Sequence, residues 1–124
     1  MDNKQLKMVT FKQAKFLKDL GFDWECRIMY DCDGILQYES VFSNWNKGSN
    51  FFSAPTVALT LKWFRDVKKT VCTVDFNYYQ NSVYKTEYYA SIGLNNNDHH
   101  WYSENYDTYE DAESALLDEL LTRI

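Results

Sequence analysis

The stretch of the chain that decides the fold is residues 71–92, which read VCTVDFNYYQNSVYKTEYYASI. Apolar side chains occupy even positions on both sides of a polar turn at residues 80–82: Cys72, Val74, Phe76 and Tyr78 before it, and Tyr84, Tyr88, Ala90 and Ile92 after it. Period-two alternation is typical of antiparallel strands that bury one face. The stretch therefore predicts a central hairpin whose apolar face must be covered by helices from elsewhere in the chain.

Length and composition favour a single domain, residues 1–124, with one hydrophobic core. The chain is 18% aromatic and has ten tyrosines, whose rings suit cores, wet sheet faces and interfaces alike. No apolar run reaches the roughly 18–20 residues that span a bilayer, and the first ten residues lack the apolar segment of a signal peptide. Three cysteines in that setting predict reduced thiols in a cytoplasm, with Cys26 and Cys72 in the core and Cys32 exposed.

The first helix is predicted from its two ends. Thr10 and Gln13 match a capping box, and Gly21 suits the residue that follows a helix, so the helix should run over residues 11–20. Residues 1–9 are expected to be a frayed lead.

Two further helices are predicted from apolar spacing. Pro55 suits the first turn of the second helix, whose apolar stripe is Val57, Leu61, Phe64 and Val67. Thr108 is the expected N-cap of the third helix, at residues 109–122. Its apolar side consists of Tyr109, Ala112, Leu116, Leu117, Leu120 and Leu121.

The remaining strands are predicted to complete one sheet. Two alternating segments at residues 25–30 and 35–39 flank the turn-rich Asp31–Gly34, and a short fifth strand is expected within residues 99–106. The prediction is an α+β fold: a single antiparallel sheet of four to five strands with three helices packed mainly on one face. The expected order is α-β-β-α-β-β-(β)-α.

Residues 40–54 form a segment without a clear period. They hold four aromatic side chains among serine, asparagine and glycine: Phe42, Trp45, Phe51 and Phe52. Long irregular segments in compact domains are often functional. One hypothesis is a loop whose aromatic residues fold back over the edge of the core, and the other is an exposed recognition loop.

Charge is unevenly distributed along the chain. Residues 101–122 carry seven acidic side chains and no lysine or arginine, within a chain of net charge −5. Helical spacing places Asp111 and Asp118 on one outward side, which with Glu104 and Asp107 predicts a negative surface. Such a surface is either a solvated helix face or a binding surface for a basic protein groove. Glu113 lies inside the apolar stripe of the last helix, and such breaks in pattern occur at functional sites.

No established motif for catalysis, cofactors or metal binding is present. His99 and His100 are the only histidines, and neighbouring residues on a strand point to opposite faces, so they are poorly placed to bind one metal ion. The aromatic side chains Tyr79 and Tyr89, expected on the wet face of the sheet, are candidates for base stacking, but the negative net charge disfavours direct nucleic-acid binding. We therefore predict neither an enzyme nor a cofactor.

Three groups of residues carry a resemblance to other proteins. Leu20–Gly21–Phe22 ends the first helix, Ala54–Pro55–Thr56 opens the second, and the segment from Thr108 to Glu113 opens the last. In this arrangement, residues 10–124 resemble small uncharacterised proteins encoded by phages, prophages and other mobile elements. The resemblance implies a setting in which small acidic proteins bind and block host machinery, including RNA-guided (CRISPR) nucleases.

The leading functional hypothesis is therefore a non-enzymatic protein-binding protein of phage or mobile-element type, an inhibitor of a host defence nuclease. One alternative is a small ligand-binding domain or enzyme that uses the tyrosine-rich sheet face with Glu113 or His99 and His100. Another is a structural or assembly component of a phage particle. The candidate partner-binding residues are Phe42, Trp45, Phe51, Phe52, Tyr79, Tyr89, Glu104, Asp107, Asp111, Glu113 and Asp118.

Overall fold

The computed structural model describes the backbone of residues 7–80, 84–93 and 99–123, and the side chains of residues 7–77, 86–93 and 101–123. The chain forms two compact units, Met1–Leu59 and Thr60–Ile124. Each contains a three-stranded antiparallel sheet. The α+β class is confirmed, but the expected single sheet of four to five strands is instead two sheets.

The first unit begins with helix α1 (Phe11–Leu20), as predicted. The Thr10 side chain accepts a hydrogen bond from the Gln13 backbone N–H, and the Gln13 side chain accepts one from the Thr10 N–H. Gly21 then adopts φ +94°, a left-handed conformation that glycine tolerates best. Both ends of α1 are therefore encoded locally in the sequence.

The first sheet has the order β2-β1-β3, with β1 (Cys26–Asp31) between β2 (Leu36–Ser43) and β3 (Phe51–Ser53). A 3₁₀ turn over Trp45–Lys47 connects β2 to β3. Residues 40–54, expected to be irregular, thus supply the end of one strand and the whole of another. A three-residue strand is too short to show a period, which explains why the sequence pattern missed it.

Pairing between β1 and β2 is interrupted by a bulge. Cys26 pairs with Ser43 and Ile28 pairs with Tyr38, so two steps along β1 correspond to five along β2. We call residues Glu39–Phe42 the β2 bulge. An interrupted register changes which side chains face the core. Met29 is buried although the alternation predicted it on the outer face of β1.

Residues 7–9 are bonded to other parts of the first unit, so the expected frayed N-terminal segment does not extend to them. Val9 is buried, and its backbone N–H donates to the Pro55 carbonyl at 3.0 Å. The Tyr30 hydroxyl donates to the Val9 carbonyl at 2.7 Å. Residues 1–6 lie outside the described part of the chain.

Helix α2 (Val57–Asp66) follows, and the boundary between the two units falls within it. The Thr56 hydroxyl oxygen accepts a hydrogen bond from the Leu59 N–H. Val57, Leu61 and Phe64 are buried as predicted, but Val67 is exposed because the helix ends one residue before it. Trp63, expected on the flank, is also buried.

The second unit contains the predicted central hairpin. Strands β4 (Val71–Gln80) and β5 (Tyr84–Gly93) pair in continuous register, and β6 (His99–Tyr102) lies on the other side of β5. The connecting turn, residues 81–83, lies outside the described residues, as do residues 94–98 between β5 and β6. The expected fifth strand is present but shorter than residues 99–106, and Tyr106 forms an isolated bridge with Tyr88.

Helix α3 (Tyr109–Thr122) packs on β4 and β5, with the Thr108 side chain accepting from the Asp111 N–H as predicted. Its leucines and Ala112 are buried. Cys72, Ala90 and Ile92 are buried, as the phase of the hairpin predicted, but Ser91 is also buried although its phase places it on the opposite face. Phe76, predicted in the core with Phe64 and Leu116, is 63% exposed, so that prediction is wrong.

Candidate protein-binding surfaces

The four acidic residues predicted to form a negative surface are all exposed, and the charges of three of them act on one side chain. Glu104, Asp107, Asp111 and Asp118 are exposed. Burial raises the pKa of Tyr106, and the negative charges of Glu104, Asp111 and Asp118 raise it further. The charges of these three carboxylates therefore act on one phenol, although the residues are separated by up to fourteen positions in sequence.

The net charge of the chain resides in the second unit. Residues 60–124 contain six lysines and arginines against eleven aspartates and glutamates, whereas residues 1–59 contain seven of each. The net charge of the second unit is therefore −5 and that of the first unit is zero. A field of one sign concentrated on half of the chain attracts a positively charged partner surface.

Three basic side chains of the second unit have partners within that unit. Lys62 forms an ion pair with Asp66 at 2.7 Å, and Arg123 forms one with Glu119 at 3.0 Å. Lys68 lies over the ring of Trp63. These three cations therefore each have a contact within the second unit.

Glu113 is half-buried on α3, one turn from the helix start. Burial raises the pKa of its carboxyl group, the negative charge of Glu110 raises it further, and the positive charge of Arg65 opposes both. Neither a hydrogen bond nor an ion pair joins the Glu113 carboxylate to another of the described residues. The residue that broke the apolar pattern is thus a partly desolvated carboxylate whose charged form is disfavoured.

An exposed group of aromatic side chains adjoins Glu113. Phe76 and Tyr88 are directly opposite each other on β4 and β5, which places them on the same face of the sheet. The Tyr88 ring meets the Tyr109 ring edge to face, with 5.9 Å between centroids. Tyr109 is 43% exposed and lies one helical turn before Glu113. We call Phe76, Tyr88, Tyr109 and Glu113 the aromatic–acidic patch.

Sequence reasoning missed the aromatic part of this patch because it placed all three rings in the core. A signal was present in the lengths of the elements. A helix of 14 residues is about 21 Å long, whereas strands of ten residues extend about 33 Å. Helix α3 is too short to cover the whole hairpin, so apolar residues beyond it remain exposed.

Some aromatic residues of the segment 40–54 fold back onto the first unit, and others are exposed as a recognition loop would require. Trp45 folds back, since its indole N–H donates to the Cys26 carbonyl at 2.6 Å. Phe52 does so too, because its ring contacts Phe11 and the Lys18 ammonium lies above it. Phe42 is 63% exposed, and Phe51 is exposed beside the Trp45 ring.

Arg27 braces the β2 bulge, to which Phe42 belongs. Its Nε donates to the Glu39 carbonyl at 3.2 Å, and its guanidinium lies 5.6 Å from the centroid of the Phe42 ring. A cavity of about 240 Å³ lies on one side, lined by Arg27, Ile28, Tyr38 and Glu39. Another of about 250 Å³ is lined by Arg27 and Phe42 together with Ala54 and Pro55. Phe42 is therefore an exposed ring at the edge of a surface depression.

The remaining candidates are less informative. Tyr89 is half-buried on β5, and its ring lies 6.3 Å from that of Tyr102. Tyr79 lies on β4, and His99 and His100 lie on β6, but their side chains are outside the described residues. Within the described side chains, no three His, Cys, Asp or Glu residues are arranged to bind a metal ion. No helix in the described part of the chain has the length and apolar character to cross a membrane.

Comparison with known proteins found no match: no family model, no curated protein and no solved structure resembles this chain significantly.

Proposed function

We propose that this protein is a non-enzymatic binding module that recognises a basic surface of another protein through the negative surface of its second unit. The observation that supports the proposal is that the exposed Glu104, Asp111 and Asp118 all raise the pKa of Tyr106, in a unit of net charge −5. Clustered carboxylates of one sign accelerate and orient association with a surface of the opposite sign.

The narrower proposal concerns the identity of the partner. Proteins that bind nucleic acid through phosphate contacts present lysine- and arginine-rich grooves, and an acidic protein surface is complementary to such a groove. We propose that the partner is a nuclease or ribonucleoprotein of a host defence system, such as an RNA-guided nuclease, and that the protein occupies its nucleic-acid groove. The protein is then an inhibitor of the kind carried by phages and mobile elements, acting in the cytoplasm of a bacterial host.

The exposed ring of Phe42 is a second point of contact in this proposal. Interfaces gain most of their affinity from a few buried anchors, among which aromatic rings are prominent. Phe42 presents an exposed ring, with a neighbouring cavity, on a strand at the edge of its sheet. Trp45 and Phe52, whose rings are committed to contacts within the first unit, contribute by holding this region in shape.

The experiment begins with capture of partners by the immobilised protein from a bacterial lysate, followed by binding kinetics with the purified partner. The double reversal Asp111→Lys/Asp118→Lys should reduce the association rate constant by about tenfold or more at low salt, while the dissociation rate changes little. The parent protein should also associate more slowly as salt shortens the Debye length to about 8–10 Å and below.

The matched control is Asp19→Lys/Asp23→Lys, which makes the same change in net charge at exposed positions of the first unit. Denaturation curves for both double variants would establish that they are folded. An association rate that falls equally in the control, or that falls in neither variant, would refute the acidic surface as the binding site. If Phe42→Ala loses binding while both double charge variants bind as the parent does, the interface lies on the first unit.

A further inference from the structure

The aromatic–acidic patch has the composition of a site for an organic cation. Phe76 and Tyr109 expose aromatic surface, and Tyr88 joins them, being opposite Phe76 on the sheet and in edge-to-face contact with Tyr109. The faces of aromatic rings carry negative potential and attract cations that lie over them. Such contacts are stronger when the cation is shielded from water, and this patch lies against a sheet and a helix.

Glu113 supplies the counter-charge for such a cation. Glu113 and Tyr109 are four residues apart on α3, so their side chains lie on the same face of the helix. Burial raises the pKa of Tyr109, and the negative charge of Glu113 raises it further, as expected for side chains one turn apart on the same face of a helix. Glu110, three residues before Glu113, adds a second negative charge.

A guanidinium group of the chain itself already lies near this patch. Arg65 on α2 opposes the effect of burial on the pKa of both Glu113 and Tyr109, so its positive charge reaches both groups. The positive charge of Arg65 also lowers the pKa of the Cys72 thiol on β4, against the effect of burial. Arg65 compensates Glu113 only in part, because the carboxyl pKa remains raised.

We propose that the aromatic–acidic patch is a binding site for an arginine side chain of a protein partner. The patch would act as an anchor point within the interface assigned above, so this inference rests on the proposed function. Asp111 and Asp118 would guide the approach of the partner, and Glu113 with its three rings would hold one arginine of that partner in place.

Arginine fits the patch better than lysine does. Its planar guanidinium stacks on an aromatic ring while its N–H groups donate to a carboxylate, whereas lysine offers a compact and strongly hydrated charge. A carboxylate that is already partly desolvated also loses less hydration when the guanidinium arrives. Both features favour a weakly hydrated, planar cation.

The test uses the whole chain and the peptide acetyl-Gly-Arg-Gly-amide, titrated at neutral pH and followed by the NMR signals of the tyrosine rings. We expect the signals of Tyr88 and Tyr109 to shift with a dissociation constant on the order of millimolar. The analogue with citrulline, which has the same shape without the charge, should not bind. The lysine analogue should bind several-fold more weakly.

Two variants, each with a matched control, test the roles of individual residues. Glu113→Gln should weaken binding of the arginine peptide by about fivefold or more, while Glu119→Gln, which removes the same charge elsewhere on α3, should weaken it by less than about twofold. Arg65→Gln should strengthen binding, because it removes the competing cation. The control Lys62→Gln removes a positive charge from an exposed site on the same helix and should have little effect.

The outcomes separate this inference from the proposed function. Equal losses in Glu113→Gln and Glu119→Gln would show that only general charge matters and would overturn the site. Tetramethylammonium binding as tightly as the arginine peptide, independently of Glu113, would overturn arginine as the occupant. If the arginine peptide binds as expected but the association rate with the partner is unchanged in Asp111→Lys/Asp118→Lys, the patch is supported as an arginine site and the acidic surface is refuted as the binding site.

Discussion

Replacement of Leu116 by alanine tests how the second unit is held together. Leu116 lies in the middle of α3 and is completely buried, with Leu117 and Leu120 buried beside it. Helix α3 packs on β4 and β5, so the side chain occupies the space between helix and sheet. Alanine is at least as favourable as leucine within a helix, so the substitution should leave α3 intact and remove only packing.

The cost of Leu116→Ala follows from the atoms that are lost. Three buried carbon atoms at about 0.8 kcal/mol each give roughly 2.4 kcal/mol of lost transfer free energy. The cavity that remains adds to this, for a total of about 2.5–5 kcal/mol. Phe76→Ala is the contrasting variant: 63% of that residue is already exposed, so only about a third of its roughly 200 Å² is removed from water. At about 25 cal/mol per Å², reduced for a compact unfolded state, its cost should be about 1–1.5 kcal/mol.

The measurement is unfolding in guanidinium chloride, followed by tryptophan fluorescence and by far-ultraviolet circular dichroism. Two probes are needed because the chain forms two compact units, and transitions that do not coincide would reveal separate unfolding of each. Leu116→Ala should lower the unfolding midpoint clearly more than Phe76→Ala. An unchanged midpoint for Leu116→Ala, or a larger loss for Phe76→Ala, would show that α3 does not cover the hairpin as described.

Three further predictions concern other parts of the chain. In thiol titration of the folded protein, exposed Cys32 should react first. Burial raises the pKa of the Cys26 thiol to about 11, and burial also raises the pKa of the Cys72 thiol. Faster labelling of Cys26 would contradict its burial. Arg27→Ala should cost about 1 kcal/mol in thermal denaturation by removing a hydrogen bond and a ring contact from the β2 bulge, and Arg27→Lys should recover only part of that loss. The raised pKa of Glu113 means that the folded chain binds this proton more tightly than the unfolded chain. Its contribution to stability should therefore fall as pH rises from the usual glutamate range through the raised pKa. Glu113→Gln should remove that slope and be more stable at neutral pH; an unchanged pH profile of the unfolding free energy would contradict the shift.

Features encoded by a few neighbouring residues could be predicted from the sequence. The bounds of α1 and α3 follow from their caps, because Thr10 with Gln13, Gly21 and Thr108 each satisfy backbone groups within one turn. The hairpin of β4 and β5 follows in the same way, from alternation sustained over twenty residues. In each case, the helix cap or the paired strand lies next to its partner along the chain, so the pattern can be recognised without the rest of the sequence.

The division into two sheets could not be predicted, because it depends on pairing between distant segments. Strand β3 has only three residues, and it is recognisable as a strand only beside β1. The β2 bulge is similar: five steps along β2 match two along β1, and nothing local to residues 36–43 encodes that mismatch. Whether the chain is a single domain stays a prediction.

The candidate site shows the same division between local and distant information. Glu113 could be recognised from its own helix, because it interrupts an apolar stripe with a charge. Its aromatic neighbours could not be recognised as exposed. The alternation of the hairpin places Phe76 and Tyr88 on its apolar face, and only the position of the covering helix decides whether that part of the face is buried. The extent of that cover depends on where α3 begins along the sheet, and Tyr109 meets Tyr88 at its first residue. The helix therefore covers the hairpin only on one side of Tyr88, and Phe76, directly opposite that tyrosine, is left at the boundary. The same start of α3 that exposes the rings brings Glu113 beside them, so exposed aromatic surface and the desolvated carboxylate have one structural origin.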